Sequence, residues 1–408
     1  MEIEKNYLSW LGARTSPDSI LTDDELRKKV EKELTFLRSL SVEEYTLLKK
    51  WRKMNRIYPP KIDKSEIFLT RPGSKPHYPE IEALRDRIWI PKEPNDYEQL
   101  QPIITQCDKN TVKFYNKIKF FISSGLGNSK MGRNLFFLVT DKVTDKLLGI
   151  INITSDFMAL TPRDKYISWT QSDKETGMLN HTAIGSTIIP TQPLGYSYLG
   201  GKLLALLCLS DVVECAWKER YHDTLVGITT TSLYSSFSQY NSLMYWKHCG
   251  HSAGTVRYEP ISEILSEMLE WLSVQHPLKF WKWYIATRDN GLPLLRDHKQ
   301  RALNFIYKEL GFKGDDIETG HSRGIYFASL YKNSCDYLRH EITEDKLIRR
   351  FDNSPATLIN IWKEKYAKKR VNDLLEQGRY SNDILWYGNM IGTTWEEAKE
   401  LYLKDIGR

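Results

Sequence analysis

Residues 184–254 run through a strand, a glycine-bearing turn, an apolar helix and a second buried strand, and this order constrains the fold more than any other feature. β-Branched residues recur over 184–191, and the chain then turns through Gln, Pro and Gly. Leucines and valines recur at helical spacing over 199–216, which predicts one helix packed against a sheet. A short strand over 225–231 and a helix bearing Tyr240 complete the predicted unit. We therefore expect an α/β (α+β) fold with a mixed sheet flanked by helices.

The turn before the predicted helix has the composition of an anion site. Free backbone N–H groups and the positive end of a helix dipole attract phosphate, and glycine lets a ligand approach the backbone. The residues expected to hold a cofactor there are Ile189, Gln192, Gly195, Ser197, Gly200 and Gly201. An ordinary tight strand-to-helix turn has the same composition, so that alternative stays open.

Two parts of this segment resemble the GNAT acetyltransferases. Their pyrophosphate loop has the pattern Q/RxxGxG/A, and Gln192, Gly195 and Ser197 give QxxGxS, with Ser in the last small position. GNAT enzymes often place a Tyr on the following helix to protonate the departing coenzyme A thiolate, and Tyr240 occupies the matching place. The resemblance implies a GNAT-like core, acetyl-CoA or another acyl or nucleotide donor, and Tyr240 as the catalytic acid. A tyrosine packed in the core is the alternative.

A second resemblance, to the DruA-like proteins of the Druantia anti-phage system and of mobile elements, covers roughly 134–254. It is carried by RDKYISWT at 163–170, YLGGKL at 198–203, and TTSLY and SQYN at 230–234 and 238–241. It implies a role in phage, plasmid or defence biology, with other defence or mobile-element proteins as partners. The residues of these motifs expected to contact a substrate are Arg163, Asp164, Trp169, Thr230, Ser232 and Asn241. An ion pair, core packing and backbone hydrogen bonds are the structural alternatives for them.

Composition and cysteine spacing bear on polyanionic partners, membrane association, disulfides and metal sites. The 408 residues carry a net charge of +6, which mildly favours polyanionic partners. The chain has neither a basic leader nor an apolar run near the ~20 residues of a bilayer span, so we expect a cytoplasmic protein without a membrane partner. Its five cysteines are widely spaced without a CxxC pair, which predicts neither a disulfide framework nor a structural zinc site. No HExxH motif or carboxylate cluster points to another metal.

Four regions are predicted along the chain. Capping boxes beginning at Thr22 and Ser41 indicate a helical N-terminal extension over 1–57, and a proline-rich linker over 58–80 follows. The GNAT-like core with additions spans 81–340, and a basic helical region occupies 341–408. Within the core, we expect a helical stretch at 96–123, a hairpin of 135–140 with 147–153, and a strand-like segment at 163–170.

The basic region carries the strongest nucleic-acid signal of the sequence. Its cations face only Asp352 and Glu364 between residues 346 and 370, and aromatic residues are interleaved with them. The residues predicted to contact nucleic acid are Arg349, Arg350, Lys363, Lys365, Lys368, Lys369 and Arg370. A basic face that is merely solvated is the alternative.

Two functional hypotheses follow. The first is a group transferase of acyl type that acts on a nucleic acid or another macromolecule, with Tyr240 as the acid. The second is a non-catalytic DNA- or RNA-binding or assembly protein on a degenerate GNAT fold. The sequence makes no prediction of the oligomeric state.

Overall fold

The computed structural model describes residues 21–57, 78–124, 132–234, 238–252, 254–280, 283, 296–383 and 385–405. The chain divides into two compact units. One combines Met1–Ser41 with Gly254–His321, and the other combines Val42–Ala253 with Ser322–Arg408. This division differs from the sequence prediction, in which 1–57 formed one extension. Most of the predicted linker at 58–80 lies outside the described residues.

The first unit is helical. It contains α1 (Asp23–Ser39), α10 (Ser262–Gln275), α11 (Pro277–Phe280) and α12 (Arg296–Glu309), numbered along the whole chain. The capping box predicted at Thr22 is confirmed, because the Thr22 side chain accepts from the Glu25 backbone N–H and Glu25 bonds back to Thr22. Trp271 Nε1 donates to Asp23 Oδ1 at 2.7 Å and so ties α10 to the start of α1.

A mixed sheet forms the centre of the second unit, as the sequence predicts, and it has seven strands. Its strands are β1 (Pro102–Gln106), β2 (Asn134–Asp141), β3 (Leu147–Ser155), β4 (Thr182–Pro190), β5 (Gly227–Ser232), β6 (Trp246–His251) and β7 (Gly324–Ser329). They lie in the order β1-β2-β3-β4-β5-β7-β6. Every neighbouring pair is antiparallel except β4 and β5, which are parallel. The predicted hairpin is β2 with β3.

Helices cover both faces of the sheet. Those of the second unit are α2 (Val42–Ile57), α3 (Tyr78–Arg85), α4 (Thr111–Ile122), α5 (Thr161–Ile167), α6 (Gln171–Glu175), α7 (Leu194–Ser197), α8 (Gly200–Leu207), α9 (Asp211–Tyr221), α13 (Ser334–Leu338), α14 (Pro355–Trp362), α15 (Lys368–Glu376) and α16 (Trp395–Asp405). A π-helical turn over Lys363–Ala367 joins α14 to α15. Because side chains alternate along β2, Phe137 packs with α8 and α14 on one face, while Leu138 packs with α2 and α4 on the other.

Four local predictions are wrong. In the segment 163–170, the residues up to Ile167 belong to the helix α5 rather than to a strand, and Ser168 caps that helix in the left-handed conformation with φ 62°. The stretch 199–216 forms two helices, since the chain breaks at 208–210 before α9. The stretch 96–123 contains the strand β1 before α4. Tyr240 lies in a succession of turns, because Ser242 and Tyr245 have φ of 53° and 72°, which a right-handed helix excludes.

None of the helices in the described part of the chain is both long and apolar enough to cross a bilayer.

Candidate functional site

The candidate cofactor cleft lies where β4 and β5 diverge. The two strands pair only over Thr182–Ile184 and Gly227–Thr229. Beyond this short ladder, Ser186 falls between the paired positions Gly185 and Thr187, and such a bulge bends the strand. The backbone of β4 past Ile184 is therefore free to bond to something other than β5.

Two side chains of the protein make those bonds. Thr230 Oγ1 donates to the carbonyl oxygen of Gly185 at 2.9 Å. Gln239 Nε2 donates to the carbonyl oxygen of Ile188 at 3.0 Å. The cleft is thus bridged twice by the protein's own side chains, at two carbonyls of β4. We call this arrangement, Gly185, Ile188, Thr230, Gln239 and Tyr240, the bridged cleft.

Tyr240 places its hydroxyl inside the bridged cleft. Gln239 Nε2 donates to that oxygen at 3.0 Å, and Thr230 Oγ1 lies 3.3 Å from it. The ring packs between Trp246 and Tyr326, with centroids 5.0 and 5.2 Å away. Burial raises the pKa of the Tyr240 phenol well above its ordinary value. The hydroxyl is therefore held neutral, as a hydrogen-bond acceptor, away from solvent.

The turn predicted to cradle a phosphate is packed with protein atoms. Gln192 Oε1 accepts from the backbone N–H of Tyr196 at 2.8 Å, so its carboxamide caps the short helix α7. A Cβ on Gly195 would come within 2.6 Å of Gln192 Nε2, and one on Gly200 within 2.6 Å of Leu194 Cγ. A Cβ on Gly201 would collide with Gln239 Oε1. Close packing accounts for all three glycines.

The other two predicted cofactor residues also have partners within the fold. Ser197 is buried, and its Oγ donates to the carbonyl oxygen of Ser381 at 2.8 Å. Ile189 pairs with Ile150 of β3 in the sheet. Both residues therefore have structural partners in this conformation.

Sequence reasoning missed the residues that hold the 239–241 turn in place. Lys202 Nζ donates to the carbonyl oxygens of Gln239 and Asn241 at 3.1 and 2.5 Å. Tyr326 donates its hydroxyl to Asn241 Oδ1 at 2.7 Å. Burial lowers the pKa of Lys202 to about 8. The polar run SQYN at 238–241, which follows β5, was the available signal for this anchoring.

Arg163 and Asp164 belong to a buried charge network. The Arg163 side chain is fully buried, with Nη1 2.7 Å from Asp156 Oδ1 and Nη2 2.6 Å from Asp164 Oδ1. Lys174 Nζ lies 2.9 Å from Asp164 Oδ2, and Thr229 donates to Asp156 Oδ2 at 2.7 Å. Burial by itself would raise the pKa of Asp164, but the hydrogen bond from Lys174 and the charge of Arg163 outweigh burial and hold it below its usual range. The network fixes the start of α5 against β5.

Trp169 and Ser232 make no hydrogen bond to the residues of the bridged cleft among those that the structure describes. The Trp169 indole is 8% exposed, packs on the Arg163 guanidinium and donates to the carbonyl oxygen of Leu338 at 2.6 Å. Ser232 ends β5 and accepts from the backbone N–H of Tyr234 at 3.2 Å. Of the predicted substrate residues, only Thr230 lies within the bridged cleft, and Asn241 lies beside it.

Most of the predicted nucleic-acid cations bind other parts of the chain. Arg349 makes two bonds to Glu214, at 2.8 and 2.9 Å. Arg350 donates to the carbonyls of Tyr245 and Ser329, Lys363 to those of Glu98 and Leu100, and Arg370 to that of Tyr196. Lys365, Lys368 and Lys369 remain exposed on the helix surface. Most of the predicted cations of the basic C-terminal region therefore stabilise contacts within the second unit.

Across the part of the chain that the structure describes, no three His, Cys, Asp or Glu side chains are grouped to hold a metal ion. The five cysteines are free thiols.

Comparison with known proteins places the chain in a family. The model of the family "Druantia protein DruA" matches residues 98–340, more than half of the sequence. The chain belongs to the DruA family. The match spans β1 to α13, so it includes the bridged cleft and the Arg163 network of this DruA-family chain.

A curated relative agrees with this assignment. It is the Druantia protein DruA of Escherichia coli (strain UMEA 4076-1), which is 27% identical over 229 residues. The aligned part covers 52% of this DruA-family chain and 54% of the relative, so the chain spans about half the length of that protein. No solved structure matches the chain significantly.

Proposed function

We propose that this chain serves anti-phage defence as a nucleic-acid-binding protein on a GNAT-like sheet that takes no acyl-coenzyme donor. Its DruA-family membership and the name of its curated relative support the defence context. Partnership with other defence or mobile-element proteins, which the same family context suggests, is part of the proposal.

The sheet order supports a GNAT-like scaffold. One parallel pair, β4 with β5, interrupts an otherwise antiparallel sheet, and a glycine-bearing turn and the helix α8 follow β4. A mixed sheet is what the resemblance to the GNAT acetyltransferases implies. This strand order therefore supports the proposal of a GNAT-like scaffold.

The bridged cleft carries the proposal that no donor is used. Gln239 donates a hydrogen bond to the carbonyl oxygen of Ile188, and Thr230 donates one to that of Gly185. The glycines of the adjoining turn contact protein side chains. A donor chain would have to displace two hydrogen bonds, each worth about 0.5–1.5 kcal/mol, before forming its own. The net charge of +6 favours a polyanion as the alternative partner.

A pair of binding titrations tests this function. Acetyl-CoA titrated into the intact protein in a calorimeter is expected to give no binding heat, while a labelled DNA duplex binds with an affinity that falls as salt rises. Micromolar binding of acetyl-CoA would contradict the closed cleft. Absence of any salt-dependent DNA binding would contradict the nucleic-acid role.

The group transferase is retained as a second candidate because of one observation, the position of the Tyr240 hydroxyl in the cleft. Gln239 is half-buried, so a change of its rotamer would open the Ile188 carbonyl to a ligand. Tyr240→Phe separates the two candidates. Under the proposed function it leaves DNA affinity unchanged and costs about 0.5–1.5 kcal/mol of stability, since Gln239 loses one acceptor. A transfer reaction that Tyr240→Phe abolishes in a folded protein would favour the transferase.

A further inference from the structure

The strand β6 lies at one edge of the sheet, in a part of the sequence that lacks acidic residues. Among the described strands it pairs only with β7, which separates it from β5. No Asp or Glu occurs in 224–253 or in 322–335, the stretches that contain β5, β6 and β7. The charged side chains that these strands bring to the edge are therefore cationic, and their field attracts anions.

Lys247 and Tyr166 lie on the same face of this edge, the face that α5 covers. Lys247 stands opposite Phe327 in the β6–β7 ladder, and directly opposed residues of an antiparallel pair share one face of the sheet. Tyr166 of α5 packs on the same Phe327 ring, with centroids 5.8 Å apart. A Cβ on Gly250 would lie 3.4 Å from Pro162, so the start of α5 also rests on β6. A cation and an aromatic ring thus flank one buried phenylalanine.

These two side chains and a second lysine are accessible. Tyr166 is 41% exposed, although it is aromatic and packs on the sheet. Lys247 is exposed, as is Lys165, the residue before Tyr166, and neither ammonium makes a hydrogen bond or an ion pair to another residue that the structure describes. The acidic residue of α5 is Asp164, whose carboxylate already binds the Arg163 guanidinium. We call Lys165, Tyr166 and Lys247 the edge platform.

A further cation lies beside the edge platform, at the end of β7. Arg350 is exposed, and its Nη1 donates to the carbonyl oxygens of Tyr245 and Ser329 at 3.2 and 3.3 Å. Partial burial raises the pKa of the Tyr166 phenol, while the charge of Arg350 and a hydrogen bond with Ser329 oppose that rise. The guanidinium is therefore held close enough to Tyr166 to add its charge to the field of the two lysines.

The geometry of β6 favours a nucleic-acid strand over an acidic peptide as the anion that fits this surface. A peptide would bind by adding a strand to the sheet edge, which needs regular pairing. β6 is bulged, since Cys249 falls between the paired positions His248 and Gly250, and Gly250 has φ 133°. Bulges at sheet edges hinder pairing with a further strand. An exposed aromatic ring beside two lysines instead suits a stacked base and its neighbouring phosphates.

We infer that the edge platform binds a nucleic-acid strand, with phosphates on Lys165 and Lys247 and an unpaired base stacked on Tyr166. This inference rests on the proposed function and locates its binding surface. A duplex still binds through its phosphates, but a single strand binds more tightly, because only its bases are free to stack on the ring.

The phosphate contacts are tested by two double variants of the intact protein, using fluorescence polarisation with a labelled single-stranded oligonucleotide at several salt concentrations. Lys165→Gln with Lys247→Gln removes both lysines of the edge platform. This variant is expected to bind about tenfold more weakly, with a salt slope shallower by about 1.4, since each phosphate contact on a single strand contributes about 0.7. Lys368→Gln with Lys369→Gln removes two exposed charges from α15 and is the matched control, which keeps the wild-type affinity and slope.

The stacked base is tested at Tyr166 in the same assay. Tyr166→Leu is expected to bind the single strand about tenfold more weakly at an unchanged salt slope, because stacking on the ring involves no phosphate. Tyr166→Phe keeps the ring and should keep the wild-type affinity. Thermal unfolding verifies that the variants are folded, and leucine retains an apolar contact with Phe327. If Tyr166→Leu does not fold, the variant with both exposed lysines replaced decides the test.

Other outcomes separate the failure of this inference from that of the function. If the two double variants bind equally well or lose affinity equally, the edge platform is not the binding surface, although the protein still binds nucleic acid. Unchanged binding by Tyr166→Leu, with polyglutamate displacing the oligonucleotide, would mark a surface for acidic polymers and contradict the stacked base. If the wild type binds neither a single strand nor a duplex, the proposed function fails together with the inference.

Discussion

Replacing Arg163 by Met is expected to lower the free energy of unfolding by about 3–5 kcal/mol, because it leaves buried carboxylates without their cation. The guanidinium is fully buried and lies 2.7 Å from Asp156 and 2.6 Å from Asp164. Its Nη1 contact with Asp156 is poorly aligned for a hydrogen bond, so charge attraction is the main term there. Denaturant unfolding of the wild type and the variant measures the loss.

Lys165→Met is the matched control for this prediction. Lys165 lies on the same helix, α5, and is exposed, so the substitution should change stability by less than about 0.5 kcal/mol. Adding Asp156→Asn to Arg163→Met should recover part of the loss, because the neutral amide has a smaller desolvation cost. A loss below about 1 kcal/mol in Arg163→Met would show that the network does not support the fold.

Replacing Trp362 by Ala is expected to lower the free energy of unfolding by about 3–5 kcal/mol as well. The indole is completely buried in the core on the α8 face of the sheet, and its Nε1 donates to the carbonyl oxygen of Tyr198 at 3.0 Å. Its ring meets that of Tyr97 edge-on, with centroids 6.3 Å apart. The substitution leaves both a large cavity and an unpaired carbonyl.

The control for Trp362→Ala is Leu375→Ala on α15, where the side chain is 46% exposed. It should cost less than about 1 kcal/mol, since much of the leucine already contacts water. The comparison tests whether the basic C-terminal region is part of the core rather than an appendage. Equal small losses from both substitutions would mean that this region packs only loosely on the sheet.

The sheet was predictable from the sequence because its signals are local. β-Branched runs and the polar turn between β2 and β3 marked strands correctly, and the apolar pattern marked the helix that covers them. The sequence predicted a helix around Tyr240, whereas the structure has a succession of turns there. The positive φ of Ser242 and Tyr245 is incompatible with a right-handed helix, and the Lys202 Nζ bond to the Asn241 carbonyl joins residues that no local pattern connects.

The site was harder to predict because its partners are distant in sequence. Gln239 contacts Ile188 and Lys363 contacts Glu98, pairs that no local pattern connects. The sequence shows a dense group of cations near the C-terminus. Charge density alone does not reveal that several of these side chains donate hydrogen bonds to backbone carbonyls elsewhere in the chain.

One titration tests the central claim most directly: fluorescence polarisation of a labelled DNA duplex with the intact protein, repeated across salt concentrations and with millimolar acetyl-CoA as competitor. The account predicts that affinity falls steeply as salt rises and that acetyl-CoA leaves it unchanged. Absence of DNA binding, or a change of affinity when acetyl-CoA is added, would contradict a nucleic-acid-binding protein whose cleft is closed by its own side chains.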